Sequence, residues 1–125
     1  MKWTLESALA LVRHLQTRVA KPCGYHACLG GSVLNNGESD KDVDLYFLPL
    51  VGQPADSAKL IRYLETRLGP SEPIGDAYPG ELFYEHRLKF EQAPTGRVDV
   101  FIVGTTTELT RAVFFTAEQA LKSVA

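Results

Sequence analysis

The sequence predicts one α/β (α+β) domain, with a mixed central sheet of about four to five strands flanked by helices. Three observations carry that expectation. Three segments repeat apolar residues every three to four positions, which is helix spacing. Four shorter segments are apolar or alternating and end in Gly, Pro or polar clusters, which is strand spacing. The chain has 125 residues, enough for one buried core, so 1–125 is taken as a single domain.

The first helix is expected over residues 4–20. Leu5, Ala8, Leu9, Val12, Leu15 and Val19 share a face, Thr4 serves as N-cap, and Pro22 and Gly24 end the segment. Residues 25–29 are a short strand that feeds a tight turn, Gly30-Gly31-Ser32. Residues 35–41 are polar and are expected to form a loop. Residues 42–48, with Val43, Leu45, Tyr46, Phe47 and Leu48, are a buried strand. A second helix covers 55–68, with Leu60, Ile61, Leu64 and Leu68 on one face and Gly69-Pro70 as its stop. Prolines and glycines make 70–80 a loop. Residues 81–91 and 97–103 are two strands joined by the turn-rich 92–96, and 107–124 is a terminal helix. The expected order is α-β-β-α-β-β-α.

Composition narrows the function classes. Apolar residues make up 45% and charged residues 22%, with a formal net charge of -2. That is an ordinary balance for a water-soluble domain, and it does not indicate a protein that coats nucleic acid by bulk charge. No apolar run approaches the ~20 residues that cross a bilayer, and the first residues read as a helix start, not a leader. A cytoplasmic protein with no membrane partner is expected. Cys23 and Cys28 lack the second pair or His array of a zinc site, so they are expected as small buried thiols.

The acids carry the chemistry. Side chains alternate along a strand, so Asp42 and Asp44 share one face and Val43 and Leu45 the other. Two adjacent carboxylates repel, and a divalent cation is the usual resolution. A second apolar strand, Val98 to Val103, is interrupted by one acid, Asp99. A half-buried acid needs a partner. With the two strands adjacent, Asp42, Asp44 and Asp99 form one site, able to hold two metals about 3.5–4 Å apart. The competing account is an acidic strand start with Asp99 in a structural ion pair to Arg97 or Lys41. It explains each acid singly but not their joint spacing with the Gly-Ser turn.

Gly30, Gly31 and Ser32 supply a turn whose backbone N–H groups approach a phosphate closely. This turn, nine residues, Asp42-Val43-Asp44-Leu45, and later Val98-Asp99-Val100 together resemble the DNA polymerase beta-like nucleotidyltransferase superfamily. Ser39-Asp40-Lys41-Asp42-Val43-Asp44-Leu45 is similar to a stretch frequent in its small, minimal members. The resemblance implies the nucleotidyltransferase fold and transfer of a nucleoside monophosphate from a triphosphate to a hydroxyl, releasing pyrophosphate. It implies that Gly31 and Ser32 hold phosphates, and that Asp42 and Asp44 bind two magnesium ions, with manganese as an alternative. Asp99 would help activate the hydroxyl. Small members often carry Arg just after the turn, whereas this chain has Val33-Leu34-Asn35-Asn36.

The missing positive charge is sought at Lys41, Arg87, Lys89 and Arg97. Arg97 shares the face of Asp99, and Arg87 and Lys89 alternate with the apolar side of their strand. A solvated strand face, with pairs such as Glu85 to Arg87, is the plainer reading of Arg87 and Lys89. His14, His26 and His86 are expected to be structural, and Trp3, Phe114 and Phe115 to pack helices. Two further functions compete. A small nucleotidyltransferase of this kind can be the antitoxin of a helical HEPN-like toxin, acting on or binding it, with self-association as another way to complete the site. A nucleotide-binding protein without turnover is the third reading.

Overall fold

The computed structural model describes residues 3–50, 52–74 and 84–104. Its architecture follows from which residues each segment must hide. Strand β1 (Trp3–Thr4) opens the chain, and Thr4 then caps helix α1 (Leu5–Leu15). The Thr4 hydroxyl accepts from the Ser7 N–H at 3.1 Å, and the Ser7 hydroxyl accepts from the Thr4 N–H at 3.0 Å. The helix ends earlier than its apolar spacing predicts. Gln16–Ala20 is a wider π turn and Lys21–Cys23 a 3-10 turn. In this arrangement the adjacent Val19 and Ala20 are both fully buried. Pro22 lacks the N–H that a continuing helix needs, and Gly24 at φ 83° closes the turn.

Strand β2 (Tyr25–Gly30) leads into helix α2 (Gly31–Asn36), followed by the short β3 (Glu38–Ser39) and by β4 (Asp42–Pro49). The turn and polar loop expected over this stretch are therefore partly regular structure. One hidden residue explains the helix: Val33 is 1% exposed. Six residues are too few to display helical periodicity in sequence. β3 pairs with β1, placing Trp3 opposite Ser39. Trp3 thus packs into the core from a strand. Its indole N–H donates to the Arg97 carbonyl at 3.1 Å.

Helix α3 (Ser57–Leu68) is capped by Asp56, whose carboxylate accepts from the Lys59 N–H at 3.0 Å. It buries Leu60, Leu64 and Leu68. Strands β5 (Glu72–Pro73), β6 (Tyr84–Phe90) and β7 (Arg97–Val103) complete a five-stranded sheet of order β2-β4-β7-β6-β5. β4 and β7 run parallel, and the other pairs are antiparallel. The chain is therefore a mixed α+β fold, compatible with the class expected from sequence. The expected terminal helix over 107–124, with Phe114 and Phe115, lies outside the described residues, as do 81–83 of the expected third strand. Among the described residues, no helix is long and apolar enough to cross a membrane.

The sheet has two unlike faces. Val43, Leu45, Phe47, Val98, Val100 and Ile102 are fully buried in the main core with α1 and α3. On the other face lie Asp42, Asp44, Asp99 and, further along the strands, a smaller buried cluster of Cys28, Leu48 and Val103. Cys23 belongs to the main core and Cys28 to the smaller cluster, and both thiols are free. A cavity of about 330 Å³ lies between α1, α3 and the β6–β7 connection, lined by Trp3, Leu68 and Val98 among others. It does not reach the acids.

Candidate metal centre

Strand alternation and register assemble the acids. In β4, Val43 and Leu45 are fully buried in the core, while Asp42 and Asp44 turn to the other face, half-buried. The parallel register of β4 with β7 sets Asp44 beside Asp99 and Asp42 beside Arg97. One carboxylate oxygen from each of Asp42, Asp44 and Asp99 lies within 4.8 Å of the others. Asp99 is the most buried of the three, 7% exposed.

The two glycines are shaped to this cluster. Gly31 sits at φ 69°, a conformation that disfavours side chains, and a Cβ there would overlap the Asp44 carboxylate. At Gly30 a Cβ would come within 2.5 Å of the Tyr46 ring. The Gly-Gly pair is thus needed so that α2 can start directly against the acids. Ser32 follows in the first turn of α2.

Burial and neighbouring charge together set the protonation behaviour. Burial first, then the negative charges of Asp42 and Asp99, push the Asp44 carboxyl up to about 6, against the pull of Arg97. Burial raises Asp42 as well, helped by its hydrogen bond with Asp99 and by the Asp99 charge, while Arg97 and Lys41 oppose the shift. Arg97 donates from Nε to Asp99 Oδ1 at 2.8 Å and from Nη2 to Oδ2 at 3.3 Å, and stands 4.0 Å from Asp42 Oδ2. The bond to Asp99 raises the pKa of its guanidinium. Three carboxylates offering only oxygen, with a single guanidinium between two of them, fit a hard divalent cation. The ion pair weighed from sequence, Asp99 to Arg97, is present and belongs to the same cluster.

The other expected cations are placed differently. Lys41 is exposed and acts on Asp42 through its charge. Lys89 pairs in register with Asp99, but its ammonium lies 3.3 Å from Glu91 and 3.7 Å from Glu72. Arg87 stands over the Phe101 ring, 5.7 Å from its centroid, further from the acids along the same face. His14 is exposed and meets Arg67 at 3.4 Å, and His26 and His86 sit within β2 and β6. Two features escaped the sequence reading. Tyr46 and Phe101 stack at 4.9 Å between centroids, two residues beyond Asp44 and Asp99; alternation puts each on the acid face, and the β4–β7 register brings them together. Glu91 reaches Arg97 at 3.9 Å across the β6–β7 connection, whose path no local pattern reveals.

Asp44 makes the stability of the metal-free protein depend on pH. Its folded pKa, about 6, exceeds the ordinary 3.8, so the folded state holds the extra proton. Stability of the metal-free protein should therefore fall as pH rises from about 4 to about 6, then level off. Solvent screening at this partly exposed group limits the effect to about 1 kcal/mol. Thermal melts in chelator at pH 4.5 and 7 should show this slope reduced in Asp44→Asn; an unchanged slope contradicts the assignment.

No protein-family model matches the chain, and no curated protein matches it.

Proposed function

We propose that this chain is a metal-dependent nucleotidyltransferase, moving a nucleoside monophosphate from a triphosphate to a hydroxyl acceptor and releasing pyrophosphate. The observation that supports this best is the joint geometry: Asp42, Asp44 and Asp99 within 4.8 Å, with Gly31 packed on Asp44 at the start of α2. Gly31-Ser32, Asp42-Val43-Asp44 and Asp99 resemble the motifs of the DNA polymerase beta-like nucleotidyltransferases. Asp42 and Asp44 would hold two magnesium ions, or manganese, with Asp99 as the third ligand. Bound there, the ions would neutralise the triphosphate and acidify the acceptor hydroxyl.

The chain's own groups have the remaining work. Asp99 draws the proton from the attacking hydroxyl. The backbone at Gly30, Gly31 and Ser32 binds phosphate oxygens. Arg97 and Lys41, which already act on the acid cluster, are the cations best suited to the phosphates. Lys89 and Arg87 are more distant candidates, since Lys89 holds Glu72 and Glu91. Positioning and charge neutralisation supply most of the rate in such transfers, and a rigid strand pair suits that task.

The test supplies magnesium, triphosphates labelled at the α-phosphate, and a panel of acceptors. The panel includes RNA, small alcohols, the chain itself and a helical HEPN-like toxin. Label should pass to one acceptor class with the wild type and not with Asp42→Ala or Asp44→Ala. Equal transfer by all three proteins would refute the proposal.

A further inference from the structure

A cation already lies inside the acid cluster. The Arg97 guanidinium covers both oxygens of Asp99, at 2.8 and 3.3 Å, and stands 4.0 Å from Asp42. These are the oxygens that a divalent ion would need, so guanidinium and metal compete for one place. Burial does not lock the pair. The Arg97 side chain is 38% exposed, against 10% for Asp99.

Arg97 also has somewhere to go. Its Nη1 lies 3.9 Å from Oε1 of Glu91, which is 52% exposed and outside the cluster. Glu91 in turn holds Lys89 at 3.3 Å, and Lys89 has an alternative partner in Glu72 at 3.7 Å. Charges therefore alternate from Asp99 through Arg97, Glu91 and Lys89 to Glu72, crossing from β7 to β5. A modest rotation of Arg97 exchanges one carboxylate for another without leaving its charge unpaired. The new pair with exposed Glu91 is weak, so the exchange is favourable only when the metal takes the guanidinium's place on buried Asp99.

We infer that Arg97 is a built-in competitor for the metal, handed from Asp99 to Glu91 when the metal enters. The inference rests on the metal-site reading above. It means that metal affinity is set by the hand-off as well as by the three acids. The apo cluster is never a bare set of three negative charges. A triphosphate would offer the released guanidinium a richer anion than Glu91, so nucleotide and metal should each tighten the other's binding.

The test titrates the protein with magnesium alone by calorimetry and with manganese alone by spin resonance. Arg97→Gln removes the competitor and should bind either ion about tenfold more tightly. Its metal-free melting temperature should drop, because Asp99 loses its partner, and metal should restore it. Arg97→Lys keeps the charge without the fork and should fall between the two, which serves if Arg97→Gln does not fold. Glu91→Gln should weaken binding several-fold in the wild-type background. The loss of any nearby negative charge would do the same, so the double variant decides. With Arg97→Gln in place, Glu91→Gln should have no further effect. Equal weakening in both backgrounds would overturn the hand-off, as would unchanged affinity in Arg97→Gln beside normal wild-type binding; either result leaves the metal site standing. Absence of binding in both wild type and Arg97→Gln would overturn the metal site and the hand-off with it.

Discussion

Asp44→Asn should abolish magnesium-dependent transfer while making the metal-free protein more stable. The two effects have one cause. Asp44 lies beside Asp99 in register and two residues from Asp42, and burial and both neighbouring charges press against its ionisation. The amide keeps the size of the carboxylate, removes the repulsion and can donate to the remaining acids. Relief of about 1 kcal/mol at a group partly open to solvent should raise the metal-free melting temperature by about 3–5 °C. The same change removes a charged ligand where phosphate charge must be neutralised, and transfer should fall by about 10³-fold or more. Melting curves in chelator and the labelled-transfer assay measure the two halves separately. A lower melting temperature would mean that Asp44 is a structural acid.

Gly31→Ala should carry the second large effect. Gly31 adopts φ 69°, and a Cβ would overlap the Asp44 carboxylate. The backbone conformation alone costs an alanine about 1 kcal/mol, and displacement of Asp44 or of the start of α2 adds to it. A total loss of about 2–4 kcal/mol and near-complete loss of transfer are expected. Gly37→Ala separates backbone strain from the site. Gly37 has φ 81°, yet a Cβ there meets nothing within 4 Å. It should cost about 1 kcal/mol and leave transfer intact. Comparable loss of transfer in both variants, measured by the same assay, would show that the close approach of Gly31 to Asp44 has no functional weight.

How much of this was legible in the sequence depends on the length scale of each signal. Alternation has a period of two, so the shared face of Asp42 and Asp44, and that of Arg97 and Asp99, follow from counting. The adjacency of the two strands does not follow from counting. It needed the joint spacing of a Gly-Ser turn, an Asp-x-Asp pair and a lone Asp, and the parallel register of β4 with β7 then supplied it. Helices α1 and α3 were legible from their apolar stripes, but the π turn at Gln16–Ala20 was not, because it changes the phase without interrupting the apolar residues. Helix α2 was missed because one buried residue, Val33, makes no pattern. The strand at Trp3 is not legible, because only tertiary pairing with Ser39 and the Arg97 carbonyl reveals it. Glu91 was missed for the same reason: its contact with Arg97 crosses the β6–β7 connection.

The central claim is that Asp42, Asp44 and Asp99 form a metal site, and manganese binding tests it most directly. Manganese should be titrated into the chelator-treated protein, with and without a non-hydrolysable triphosphate, while the signal of the free ion is followed by spin resonance. The wild type should withdraw manganese from solution, more tightly with the triphosphate, magnesium should displace it, and Asp44→Asn should lose the binding. A wild type that leaves manganese free under both conditions, or an Asp44→Asn variant that binds it equally well, would contradict the claim.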